Sequence, residues 1–206
     1  MNLLAHALLS PSNDPAALFG NLTADWVKGR ARLTLPEPIR RGMEIHQRID
    51  AFTDLHPLVH RCTDLLEPNW ARYSPILVDV FFDHVLSLEW HRHSVHAREH
   101  TIATAYAALR QHKHLLPERA EYAVNALLAD DWLSTYATLD GIALSLSRMS
   151  TRLQSRGHDI ELAPAVRDFQ TVQPQFHAAF EEFFPQLRAH AAAVTANPVD
   201  AGKIPL

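Results

Sequence analysis

The stretch Ile76-Leu77-Val78-Asp79-Val80-Phe81-Phe82-Asp83-His84-Val85-Leu86 decides the fold. Eight of its eleven residues are apolar, and at helical spacing they cover the element all round rather than on one stripe. That pattern belongs to a helix buried at the centre of a bundle. Pro75, with its fixed φ, suits the first helical turn. Two carboxylates, Asp79 and Asp83, fall one turn apart inside this segment. Removing a carboxylate from water is costly unless a cation or a full set of donors compensates, so the pair demands a partner, and with His46, Asp50, Asp54, Asn21, Asp25 and His84 in the same chain a metal ion is the expected one.

The rest of the chain reads the same way. Ala and Leu abound, six glycines among 206 residues are few, and no run alternates β-branched with polar residues. An all-α fold is expected, a single compact multi-helix bundle over residues 1–194 with a mobile tail at 195–206 that includes Asn197-Pro198 and Gly202. Helices are expected over about 2–10, 14–27, up to Pro57, 58–66, 76–86, 98–111, 123–136, 141–152 and 163–193, with Pro174 and Pro185 kinking or dividing the last. Its apolar stripe is Phe169, Val172, Phe176, Phe180, Phe183, Phe184 and Leu187. Trp132 and Leu133 are expected in the core. Gly20 in mid-helix costs about 1 kcal/mol against Ala, which points to a neighbour passing close to the backbone there.

Composition excludes several classes of function. The lone Cys62 rules out an intramolecular disulfide and reads as a small core residue rather than a nucleophile. No basic leader or membrane-length apolar run is present, so a cytoplasmic protein is expected. A net charge of −4 argues against nucleic acid as a partner. Against that balance, Lys28, Arg30, Arg32, Arg40 and Arg41 face only Glu37 between residues 28 and 41, in a connector broken by Pro36 and Pro38. It reads either as a solvated loop or as a docking patch for an acidic partner or phosphate.

A second polar row lies in Ile45-His46-Gln47-Arg48-Ile49-Asp50-Ala51-Phe52-Thr53-Asp54. His46, Asp50 and Asp54 stand at i, i+4 and i+8, one above another on a helix, and Asn21 and Asp25 form a shorter row of the same kind. Alone, a His-x3-Asp row reads far more readily as a hydrogen-bonded pair than as a metal site, and His6 more readily as a core histidine than as a ligand. The histidines between His91 and His100 lack an apolar frame and are expected mostly exposed. Arg148 and Arg152 share a helical face and reach either a phosphate or solvent. Several helices carrying His, Asp and Asn, with no nucleophile elbow, phosphate loop or paired cysteines, point to hydrolysis of a phosphoester by a metal-activated water. Such ligands suit Mn²⁺ or Mg²⁺, and Fe or Zn less well. The residues alone leave open a hydrolase of nucleotides or other small phosphoesters, and a non-catalytic helical metal-binding module.

Five motifs narrow this. Met1-Asn2-x-Leu4-Ala5-His6, Gly20-Asn21-Leu22-x-Ala24-Asp25, His46-x-Arg48-Ile49-Asp50-x2-Thr53-Asp54, Pro75-Ile76-x2-Asp79-Val80-x2-Asp83-His84-x-Leu86 and Trp132-Leu133 occur in this order. Together they resemble the bacterial acyl carrier protein phosphodiesterases, from Met1 to about Leu187. The resemblance implies a divergent, all-helical HD-type phosphohydrolase that removes 4'-phosphopantetheine from a serine of holo-acyl carrier protein with Mn²⁺ or Mg²⁺. It also implies a metal shell drawn from His6, Asp25, His46, Asp50, Asp83 and His84. Asp79 is then a supporting carboxylate or general base, Asp83 takes part in catalysis, and Asn21, Arg48 and Asp54 orient ligands or phosphate. The adjacent pair reads Asp83-His84 where the wider superfamily has His-Asp. Adjacent helical residues diverge by about 100°, which leaves open which of the two faces an ion. Acyl carrier proteins are acidic, and Lys28, Arg30, Arg40 and Arg41 are the residues expected to meet one.

Overall fold

In the computed structural model, which describes residues 1–11 and 13–196, every regular element is helical. Eleven α-helices follow one another among the described residues: α1 Leu3–Leu9, α2 Pro15–Thr23, α3 Glu37–Asp54, α4 Pro57–Trp70, α5 Ser74–Leu88, α6 Trp90–His93, α7 Arg98–His112, α8 Glu118–Ala129, α9 Trp132–Thr135, α10 Leu139–Gln154 and α11 Ala165–Ala196. None is long and apolar enough to cross a membrane.

The apolar segment around Phe81 becomes α5, and it is central. Leu77, Val78, Val80, Phe81, Phe82, Val85 and Leu86 are all fully buried. The aromatic stripe of α11 packs on it, with Phe81 stacked on Phe169 at 4.4 Å and Phe82 edge-on to Phe180 at 5.4 Å between ring centroids. That contact explains why α11 does not divide at its prolines. It runs unbroken for 32 residues with Pro174 and Pro185 inside it. A helix-interior proline costs about 3 kcal/mol, and the buried phenylalanines on either side offset it. Likewise α4 continues through Pro68 to Trp70, where the indole donates to Asp168 on α11 at 2.7 Å. Because α11 reaches Ala196, Thr195 and Ala196 are helical. The remaining tail expectation, for residues 197–206, lies outside the described residues.

Three other boundaries differ from expectation, each for a local reason. α2 stops at Thr23 because the Arg32 guanidinium donates to the carbonyls of Ala24 and Val27 at 2.7 and 2.8 Å, holding the chain in a turn. The basic connector is not one loop. Gly29–Thr34 forms a 3₁₀ turn and α3 starts at Glu37, which puts Arg40 and Arg41 on a helix. The helix expected over 123–136 breaks at Asp131, whose φ of 47° is left-handed and whose carboxylate accepts the Tyr106 hydroxyl at 2.7 Å. Leu133 is buried there, whereas Trp132 is only partly covered.

The crossing of α2 and α3 positions the polar rows. At Gly20 an added Cβ would lie 1.9 Å from the Ile39 carbonyl oxygen, and at Gly42 1.9 Å from that of Ala17. Two glycines, one per helix, therefore bring the backbones closer than any side chain would allow. The close approach expected from Gly20 is real, and its counterpart is Gly42.

Candidate metal centre

α1, α2 and α3 each contribute to one cluster. His6 on α1, His46 on α3 and Asp50 one turn beyond it place a ring nitrogen or carboxylate oxygen within 4.8 Å of one another. The two imidazoles stack with centroids 4.0 Å apart. Asn21 on α2 fixes both. Its side-chain oxygen accepts from His6 Nδ1 at 2.8 Å, and its backbone carbonyl accepts from His46 Nδ1 at 2.7 Å. The Asn21 amide is held in turn, donating to Ser10 Oγ at 2.8 Å. With both Nδ1 atoms donating, each Nε2 offers a lone pair whenever its ring is neutral, and both point at Asp50, 3.1 Å away for His6 and 3.0 Å for His46.

Lone pairs aimed at a carboxylate call for a positive charge between them. His46 Nε2 is buried and makes no hydrogen bond, although Asp25 Oδ2 also lies 3.6 Å from it. Ligands about 2.0–2.2 Å from a shared ion sit at separations of this order, and a ligating histidine ordinarily donates its other nitrogen to a carbonyl. The donor set fits a divalent cation. The electrostatics agree. Burial would raise the Asp50 carboxyl, but His46 and His6 hold it well below the usual carboxylate range. Burial would lower His46, but the carboxylates of Asp25 and Asp50 lift it to about 9. Burial and the neighbouring His46 drive His6 down to about 4. The cluster thus favours one positive charge shared among these groups.

The other expected residues are spread around this centre. Asp25 stands at its exposed rim, 3.5 Å from Lys28 Nζ. Asp79 is half-buried, 3.0 Å from the buried Met1 nitrogen, which is also 3.6 Å from Asp50 Oδ1. Burial raises its pKa against the pull of that ammonium. Asp54, the third member of its row, is exposed one turn past Asp50. Arg48 lies two residues from both His46 and Asp50, which turns it roughly 200° round α3 from them. It pairs with no carboxylate among the described residues.

Asp83 and His84 are not brought into the cluster. Asp83 is fully buried, and its two oxygens accept the backbone N–H groups of Leu4 and Ala5 at 2.7 and 3.2 Å. It caps α1 from α5, so its partner is a set of donors. Burial nevertheless pushes its pKa up to about 7. His84 donates Nδ1 to the Tyr136 carbonyl at 2.8 Å and sits edge-on to Phe169. It ties α5 to the chain after α9. Of the histidines from 91 to 100, His91, His96 and His100 are exposed, while His93 is buried against Phe180 and Phe184.

The basic residues also divide. Arg41 pairs with Asp14 at 2.9 Å and Arg32 serves as a backbone cap, leaving Lys28 and Arg30 exposed and Arg40 half-buried. Ser10 and Gly42 escaped the sequence reading. Gly42 was visible as a glycine inside a helical pattern, but nothing in the sequence pairs it with Gly20.

Comparison with known proteins places this geometry in context. A family model described as acyl carrier protein phosphodiesterase matches residues 1–187. Proteins named acyl carrier protein phosphodiesterase are similar over nearly the whole chain. One from Photorhabdus laumondii is 32% identical over 195 residues, covering 93% of this chain and 95% of its own. One from Pectobacterium atrosepticum is 32% identical over 188 residues, covering 91% and 95%. A third, from Klebsiella pneumoniae, is 33% identical over 190 residues, covering 91% and 95%. No solved structure matches.

Proposed function

The chain belongs to the acyl carrier protein phosphodiesterase family, and from that premise we propose that it hydrolyses the phosphodiester joining 4'-phosphopantetheine to a serine of holo-acyl carrier protein. Water adds to phosphorus, the bond from phosphorus to the serine oxygen breaks, and that oxygen takes a proton. Apo-carrier and free 4'-phosphopantetheine are the products. The observation that carries the reading is the pair of imidazoles whose Nδ1 atoms are pinned by Asn21 and whose Nε2 atoms converge on Asp50.

His6, His46 and Asp50 hold the metal, with Asp25 within reach at the rim. When bound, a divalent cation supplies charge stabilisation at the phosphoryl oxygens and a water of lowered pKa. Two nitrogen donors suit Mn²⁺ better than Mg²⁺, which prefers oxygen ligands and keeps its waters; Fe²⁺ and Zn²⁺ share that preference for nitrogen. Asp79 is the carboxylate placed to accept a proton, since it is half-buried beside Asp50 and its raised pKa makes it a better base. Asn21 is a positioning residue, Asp83 holds α1 and with it His6, and Lys28, Arg30 and Arg40 offer positive charge to an acidic carrier. Residues 1–194 act as one catalytic unit in the cytoplasm, where this carrier works.

Intact mass spectrometry of holo-carrier incubated with the protein and Mn²⁺ tests the reading. Loss of one 4'-phosphopantetheine mass, abolished by EDTA and in Asp50→Asn, is expected. An unchanged carrier, from a folded and metal-loaded sample, would remove the assignment.

A further inference from the structure

Beside the metal centre lies a cleft of about 610 Å³, walled by the 3₁₀ turn, α8 and α10. Its volume falls within the roughly 300–1,000 Å³ of small-molecule sites. Asp25 belongs to both places, lining the cleft and standing 3.6 Å from His46 Nε2. Asp25 therefore joins the edge of the cleft to the rim of the cluster.

Its chemistry is two-sided. Trp26, Tyr122, Trp132 and the small side chains of α8 give apolar walls, and Lys28, Arg119, Arg152 and Arg156 bring four cations to the same space. Arg119, Arg152 and Arg156 pair with no carboxylate among the described residues. Partial burial and the neighbouring Arg156 both pull Arg152 below the ordinary guanidinium value. Of these cations Asp25 answers only Lys28, at 3.5 Å, so the three arginines leave the cleft with an excess of positive charge that favours an anionic ligand. The Arg152 guanidinium also lies over the Trp132 ring at 5.2 Å, with Arg148 on the same ring at 5.7 Å, which holds the indole in place as a wall.

Resting on the phosphodiesterase reading, we propose that this cleft receives the phosphopantetheine arm of the substrate and retains it as the released product. A folded carrier cannot enter a space of this size, whereas an extended arm can. Its phosphate lies at the Asp25 end, its methyl and methylene groups meet the apolar walls, and its amide carbonyls accept from the guanidinium groups. The arm's phosphate makes the product a stronger ligand than pantetheine.

Titration of the metal-loaded protein, read by the fluorescence of Trp26 and Trp132, tests this with free 4'-phosphopantetheine, pantetheine, inorganic phosphate and AMP as probes. Saturable binding of 4'-phosphopantetheine is expected, with pantetheine and phosphate each at least about tenfold weaker. Ala123→Phe, which fills the cleft, and the surface variant Arg156→Gln should each weaken it by about tenfold at unchanged metal content, and raise KM for holo-carrier in parallel. Unchanged affinity in both variants, or tighter binding of AMP, overturns the proposal. The same samples separate the two levels. Release from holo-carrier by the wild-type protein with KM unaltered in the variants sinks the arm cleft alone, and no release by the wild-type protein sinks the phosphodiesterase reading beneath it.

Discussion

Asn21 holds two imidazoles at once, His6 through its side-chain oxygen and His46 through its backbone carbonyl. Only the first contact is removable by mutation. Asn21→Ala should free the His6 ring and lower Mn²⁺ affinity by about 10–100-fold, measured by competition with a chelator, while His46 keeps its partner. Unchanged affinity would show that the amide does not orient the ligand. Cys62 makes the opposite case, a reactive residue type with nothing to do. It is buried, and burial pushes its thiol up to about 12. Only about one molecule in ten thousand then carries the thiolate at pH 8, and raising the pH toward 10 increases that fraction about a hundredfold. Alkylation should therefore be negligible in the native protein at pH 8 and reach one equivalent on denaturation. Rapid labelling of the native protein would contradict the burial.

Elements bring these residues together by backbone proximity. α2 and α3 cross at Gly20 and Gly42, and the Asn21 carbonyl meets His46 Nδ1 across that same crossing. Gly42→Ala would drive a methyl group into the Ala17 carbonyl, at a cost of about 1–3 kcal/mol or more. A thermal melt should show a drop of several degrees, and metal affinity should fall with it. Gly29→Ala is the control. That position has a φ of 59° with nothing within 4 Å of the added Cβ, so it should lose about 1 kcal/mol to backbone strain and leave the metal site alone. Equal effects of the two on metal affinity would disconnect the crossing from the site. The same scale explains Asp83. From a sequence pattern a buried carboxylate on α5 asks for a cation or for donors, and the N-terminal turn of α1 provides the donors.

Across the whole molecule, one stretch of this acidic chain gathers several basic side chains beside the metal centre. Lys28 lines the cleft, and Arg30 and Arg40 lie outside it, while Arg32 and Arg41 serve the fold. Arg30→Glu with Arg40→Glu should raise KM for holo-carrier about tenfold at moderate salt with metal content unchanged; KM at the wild-type value would take these residues out of the encounter. Much of this architecture was legible beforehand. The periodicity of Ile76–Leu86 and of the phenylalanines in α11 made an all-α bundle readable, because burial imposes a helical repeat on the sequence. Helix ends were read less well at Pro68, Pro174 and Pro185, since tertiary packing overrode a local breaker.

The sequence by itself determined the helical class, the pairing of His46 with Asp50, the close approach at Gly20 and the family motifs, all of which depend on local spacing. The resemblance had named His6 and Asn21, but only the tertiary structure decided how they complete that pair and that Asp83 and His84, named with them, are tied instead to backbone groups of Leu4, Ala5 and Tyr136. It alone disclosed the cationic cleft beside Asp25. The physical reason is common to all three. Contacts between residues tens of positions apart depend on how helices cross, and crossing geometry is set by the packing of whole faces, which leaves no periodic trace along the chain.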